Sequence, residues 1–424
     1  MIICNILVSC GILAIALTSL FCEFVDCDGP SKKDTSIHSS TTVNNLKTSK
    51  NSPNQCEKRI VGYFNGWESR EISYNMISKL THVIYATIAL DEEGTVSFES
   101  VKSRRCFYDA QNNVKHSNTG VKFMISIGGT SYSEYFSAVA RDKRENFINS
   151  TISFIKTNQV DGVDIYWSEP NKDGSDKENY VTLIRELRQK LTELQESQNR
   201  TSPYLLTVLT PAYGWTLEDG TDIEALSEYV DFFNIASDDY TEAWSPTLGH
   251  YTKPHAPLYA GFGEKFKQNV DWTMRYYTCK TRKPSMLNMG LPFFGRYWKN
   301  VLDPINPSDE MWRRVGTVNG SAEKAMLLWK NVKKYGWNLR NMKWDDKTKS
   351  SYIWDPVEKS FLGIDDERSL IEKMNYVKKN NLGGVMIWTV EMDDYSGSLL
   401  NAVSSVNLCE GQKHNKDEVV YKCS

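Results

Sequence analysis

Val160-Asp161-Gly162-Val163-Asp164-Ile165-Tyr166-Trp167-Ser168-Glu169-Pro170 is a short apolar run entered through an Asp-Gly pair and left through Ser-Glu-Pro. It reads as a β-strand over 160–167, with Asp161-Gly162 as a turn-compatible entry that backbone geometry alone can explain. Side chains alternate faces along a strand, so Asp164, Tyr166 and Ser168 fall in line on one face. Glu169 falls on the other face unless a bulge shifts the register.

Similar runs recur at 60–64, 82–89, 122–127, 205–209, 230–235, 258–261, 287–291 and 384–388. Between them lie longer stretches, notably 143–156, 177–195 and 269–280, in which apolar residues return every three or four positions. Strands alternating with helices predict repeated βα units, and a parallel barrel is the economical closure. A barrel needs about eight strands, so one of these runs is surplus. The Trp- and Lys-rich stretch 294–382 is too long for one βα loop and predicts a small α+β insertion, at about 297–378, on the barrel's C-terminal face.

The 424 residues fit one such barrel, at 56–405, with additions at both ends. A net charge of −3 without a long basic run excludes the electrostatic footprint that nucleic-acid phosphates require. The six histidines show no HxH or HxxxH spacing, so no metal site and no cofactor is expected, and His82 reads as a core histidine. Residues 1–22 carry no charge and 6–21 are almost continuously apolar, which predicts entry into the secretory route. That segment, 1–27, reads equally as a cleaved signal peptide or a signal anchor, with the barrel extracellular or lumenal and membrane contact through this segment only. Residues 28–55, rich in Ser, Thr, Asn and Lys, read as a flexible stalk, and 406–424 as a C-terminal tail.

Nine cysteines fit no zinc spacing. In an oxidising compartment Cys56 with Cys106, and Cys409 with Cys423, are the expected disulfides, although connectivity does not follow from sequence. Sequons at Asn149, Asn199 and Asn319 are compatible with the same route.

The opening stretch resembles the DGxDxDWEYP signature of glycoside hydrolase family 18, the chitinases. Further look-alikes follow in the family's order: Gly62-Tyr63-Phe64-Asn65-Gly66-Trp67, Thr81 to Ala86, Ser126-Ile127-Gly128-Gly129, Asp231 to Ile235, Gly290 to Arg296, and Gly383 to Trp388. The resemblance runs from about Arg59 to Ala402 and implies a TIM (β/α)8 barrel with an α+β insertion. It also implies substrate-assisted chemistry, in which a Glu ending the fourth strand protonates the glycosidic oxygen and the sugar's acetamido oxygen attacks the anomeric carbon. An Asp two residues earlier orients the acetamide.

This chain departs from that pattern where the chemistry lies. The DxDxE positions hold Asp164, Tyr166 and Ser168, and a serine hydroxyl has no proton-donor pKa near neutrality. The family's MxYD becomes Ala236-Ser237-Asp238-Asp239, Thr130 stands where a Trp usually follows SxGG, and Phe294 stands for a Tyr. What the resemblance leaves as a sugar-binding groove is Tyr63, Trp67, Asp239, Arg296 and Trp388, with Trp388 as its floor. Asp164 also reads as a structural remnant, a buried carboxylate held by backbone and hydroxyl donors. The expectation is a chitinase-like protein that binds chitin or its oligosaccharides without hydrolysing them. The alternatives are a scaffold for a protein partner, modulating responses to chitin-bearing organisms or blocking a true chitinase, and a weak hydrolase using Glu169 or a carboxylate from another loop.

Overall fold

The computed structural model describes residues 56–66, 70–170, 175–241, 250–261, 267–318, 321–410 and 415–423. The expected leader and stalk, Trp67 and the sequon at Asn319 lie outside them.

Eight parallel strands form a closed ring: β1 Arg59–Phe64, β2 His82–Leu90, β3 Lys122–Gly128, β4 Gly162–Tyr166, β5 Leu205–Pro211, β6 Phe232–Ala236, β7 Leu287–Pro292 and β8 Gly384–Trp388. Each pairs with the next, and β8 returns to β1 with Ile60 opposite Val385. The expected TIM barrel is the observed fold. Strands buried on both faces read as near-continuous apolar runs, and here the two faces separate cleanly. Val163 and Ile165 of β4 pack outward into the core shared with the helices, whereas Val61, Ile84, Met124, Leu209, Phe232 and Met386 meet inside the barrel. Gly162 is required by contact, since a Cβ there would lie 2.3 Å from the Leu205 carbonyl oxygen of β5.

The predicted helices appear as Arg144–Asn158, Ser175–Ser197 and Val270–Thr281. The surplus run at 258–261 is not a strand. Leu258 is buried, its N–H donates to the Thr348 carbonyl, and its own carbonyl accepts Asp271 N–H in the first turn of the helix Val270–Thr281. Four apolar residues fit a buried loop as well as a strand.

The chain leaves β7 to build a five-stranded antiparallel sheet, in the order Lys324–Leu328, Phe294–Trp298, Ser360–Ile364, Ser350–Asp355 and Lys343–Asp345. It has its own small core around Trp298, Trp312 and Phe361. The helix Glu367–Lys379, opened by a capping box of Asp366 and Ser369, then leads to β8.

Both expected disulfides are corrected. Cys56 bonds Cys409 and Cys279 bonds Cys423, while Cys106 belongs to neither bridge. The reason is barrel closure: β1 lies beside β8, so the segment entering β1 meets the segment following the last helix, and the sequence separation of 353 between Cys56 and Cys409 vanishes as distance. The tail is tied down further, with Asn381 donating to the Asn415 and Lys416 carbonyls and Lys416 pairing with Glu57. Among the described residues no helix is long and apolar enough to cross a membrane.

Candidate functional site

Asp164 sits fully buried at the centre of the barrel. Strand alternation brings four neighbours to it: Tyr63 from β1, Ser126 from β3, Thr207 from β5 and Asn234 from β6. The hydroxyls of Tyr63, Ser126 and Thr207 donate to its carboxyl at 2.9, 2.8 and 2.6 Å, and the Asn234 amide lies at 3.3 Å. Burial pushes this carboxyl up from its usual range, while all four donors pull it back by favouring the anion.

Tyr166 points to the same interior, its ring 6.1 Å from Trp388, and it hydrogen-bonds Thr130 at the rim. Gly129 lets the backbone pass beneath it: its φ is +102° and its N–H donates to the Tyr166 carbonyl at 2.8 Å. The strand stops at Tyr166, so Ser168 and Glu169 belong to the exit loop rather than to an alternating ladder. Trp167 turns outward, stacked on Phe136 at 5.3 Å and packed against Tyr180. Among the described residues the buried Ser168 hydroxyl has no hydrogen-bond partner. Glu169 is exposed, and its backbone N–H donates to the Ser133 hydroxyl at 2.9 Å on the outer layer.

Trp388 ends β8 half-buried, with the fully buried Tyr63 ring 5.3 Å beneath it. Asp239 accepts from Arg296 at 2.8 Å and from the Thr241 hydroxyl at 2.6 Å. Burial would raise its carboxyl, but the charge of Arg296 and, where it is protonated, of His255 holds it below the usual range. Burial pushes His255 itself down to about 3, so the cation facing Asp239 at neutral pH is Arg296. Asp238, next in the chain, is pushed up to about 7 by burial and by the Asp239 charge. Phe294 is buried edge-on against His255 at 4.7 Å, which removes it from the groove surface.

The structure thus brings together Tyr63, Asp164, Tyr166 and Trp388, and sets Asp239 with Arg296 as a second, ion-paired group. Asp161 does not join them. It anchors the strand entry, accepting from Phe123 N–H at 2.9 Å and from Arg200 at 2.6 Å. Sequence reading missed Ser126, Thr207 and Asn234. Their signal was a polar residue in the middle of an apolar strand run, which has to find a partner inside. It also missed Glu391, just beyond β8, which accepts Asn65 N–H at 2.9 Å and is pushed up to about 7 by burial. Among the described residues no group of three or more His, Cys, Asp or Glu could hold a metal ion.

The sequence model of the glycosyl hydrolases family 18 matches residues 59–393. Chitotriosidase-1 of Mus musculus is 26% identical over 363 residues, which is 81% of this chain and 75% of that protein. The crystal structure of Ostrinia furnacalis Group IV chitinase in complex with allosamidin is 26% identical with a TM-score of 0.70, covering 84% of this chain and 100% of the other. Human YKL-39, described as a pseudo-chitinase with retained chitooligosaccharide binding, shares the fold at 22% identity and a TM-score of 0.69, over 82% of this chain and 99% of its own. A match running from β1 to the loop beyond β8, over a barrel closed as the motifs required, makes this chain a member of the glycosyl hydrolases family 18.

Proposed function

We propose that this protein binds chitin oligosaccharides in the groove above Trp388 and does not hydrolyse them. The observation that carries this reading is the content of the line running from Asp164 toward the exit loop: a carboxyl with four donors on it, then the Tyr166 ring, then the Ser168 hydroxyl. General acid catalysis needs a proton donor with a pKa near the working pH within reach of the leaving oxygen. Asp164 is engaged on every side, Tyr166 has its phenol pushed up by burial, Glu169 is exposed with its backbone tied to Ser133, and Asp238, pushed up to about 7, is buried beyond β6 rather than at the end of β4 where the family's acid stands. The half-buried Trp388 over Tyr63 retains the flat apolar surface on which a sugar ring stacks. That the fold can serve binding alone is what the description of human YKL-39 says of that protein. The two disulfides support an extracellular or lumenal location for the barrel.

Calorimetric titration of chitotetraose into wild type and Trp388→Ala tests the binding half of the proposal. Saturable binding that weakens at least about tenfold in the variant, the scale of one lost stacking contact, is expected. Absence of binding at millimolar ligand would refute it and turn the search to a protein partner.

A further inference from the structure

Arg59 and Asp164 are placed at different depths in the barrel, and among the described residues neither forms an ion pair with an opposite charge. Arg59, at the start of β1, lies partly buried at the N-terminal pole with its guanidinium over the Phe232 ring at 4.6 Å. It borders a small polar cavity of about 160 Å³. The acidic neighbours there, Asp231 and Glu57, act on Arg59 at a distance while making their ion pairs with Arg188 at 2.6 Å and with Lys416 at 3.0 Å. Lys58 donates to Asn381 and the Leu382 carbonyl, and His82 is held neutral by burial, pushed down to about 3. Asp164 is faced by Tyr63, Ser126, Thr207 and Asn234, by Tyr166 of its own strand and, from the helix layer, by Tyr180, with no cation among them.

An unbroken run of hydrogen bonds joins the two. Arg59 Nε donates to Asn288 Oδ1 at 3.0 Å, and Asn288 Nδ2 donates to Asn234 Oδ1 at 3.0 Å. Asn234 Nδ2 then donates to Asp164 Oδ1 at 3.3 Å and to the Tyr63 hydroxyl oxygen at 2.9 Å. The ends fix the direction of every link. A guanidinium only donates, so Asn288 must present its oxygen to Arg59 and its NH2 to Asn234, which must in turn present its NH2 to Asp164 and Tyr63. The Tyr63 hydroxyl, having accepted from Asn234, gives its proton to Asp164 Oδ2 at 2.9 Å. Aligned amide dipoles in a low-dielectric interior polarise one another and pass a cation's effect along the row.

We propose that Arg59 is a positioning residue for Asp164, acting through Asn288 and Asn234 to hold the carboxyl ionised and the Tyr63 hydroxyl turned toward it beneath the Trp388 floor. Burial pushes Asp164 toward protonation, and the row from Arg59 opposes it. The consequence for ligand binding rests on the oligosaccharide reading above, whereas the link between the two charges does not.

The test is the titration of the Asp164 carboxyl in full-length protein labelled with ¹³C-aspartate, assigned by loss of the signal in Asp164→Asn. In Arg59→Met the midpoint moves up by at least about one pH unit, a tenfold change in proton affinity. Asn288→Leu moves it likewise although Arg59 remains. Folded variants whose midpoints stay within about 0.3 unit of wild type overturn the proposal. If neither variant folds, wild type decides: the side-chain amide signals of Asn234 and Asn288 shift with the Asp164 midpoint, and amides that ignore it overturn the link. Chitotetraose affinity measured between the wild-type and variant midpoints falls about tenfold in both variants. A wild type that binds no oligosaccharide defeats the binding reading and leaves Arg59 to be judged on the carboxyl signal alone.

Discussion

The Tyr63 hydroxyl donates to Asp164 at 2.9 Å, and the ring that carries it lies 5.3 Å beneath Trp388. The buried carboxylate therefore orients the aromatic that supports the proposed sugar floor. In Asp164→Ala, three hydroxyls and an amide lose their acceptor in a site without solvent access. Each stranded buried donor costs about 1–3 kcal/mol, so urea unfolding is expected to show a loss of at least about 3 kcal/mol. A loss below about 1 kcal/mol would contradict the network as described.

Stability should fall as pH rises from about 4 to 7. Asp238 and Glu391 are each pushed up to about 7 by burial, so in this window the folded state keeps a proton that the unfolded chain has already released. Their penalty is absent below the unfolded pKa and complete above about 7, at about 4 kcal/mol for Asp238 and about 3 kcal/mol for Glu391. Asp394 runs the other way. Against its partial burial, Ser396 and Ser398 hold it down to about 2, so its contribution is lost as pH falls from about 4 toward 2. Denaturation across pH 4 to 8 should therefore slope downward, and Asp238→Asn should flatten that slope; an unchanged slope would show that Asp238 titrates normally.

Cys56→Ser and Cys409→Ser should destabilise equally, by about 2–5 kcal/mol, because each opens the same bridge. Cys106→Ser, outside both bridges, should cost less than about 1 kcal/mol. Equal effects from Cys56→Ser and Cys106→Ser would instead restore the Cys56–Cys106 pairing expected at the outset.

The barrel was legible because strand and helix periods alternate throughout the chain and the family's motifs fall on strand ends in order. The run at 258–261 failed since burial alone does not separate a strand from a loop tucked under the Thr348 carbonyl. The disulfides failed for a different reason: β1 touches β8 only after the ring closes, which no local pattern announces. Within the site, alternation foresaw Asp164 and Tyr166 facing inward, but not that the strand would end at Tyr166 and put Ser168 on a loop. Asp239 and Arg296 were expected as separate groove residues. Their 2.8 Å contact joins the strand that follows β7 to the loop just beyond β6, 57 residues apart in sequence, which no local pattern announces.

Restoring the carboxyls should restore some chemistry. Tyr166→Asp with Ser168→Glu places two acids above Asp164, and a general acid is worth about 10²-fold to 10⁴-fold in rate. Slow release of N-acetylglucosamine units from chitotetraose, absent in Tyr166→Asp alone, is the expected outcome. Inactivity of a folded double variant would mean that the Asp238 and Thr130 substitutions also matter.

The most direct measurement is chromatographic analysis of chitotetraose held at saturating concentration with wild-type protein. The account predicts intact tetrasaccharide at the level of the buffer control. Accumulating shorter sugars that disappear in Glu169→Gln or in Asp238→Asn would contradict it and identify the acid.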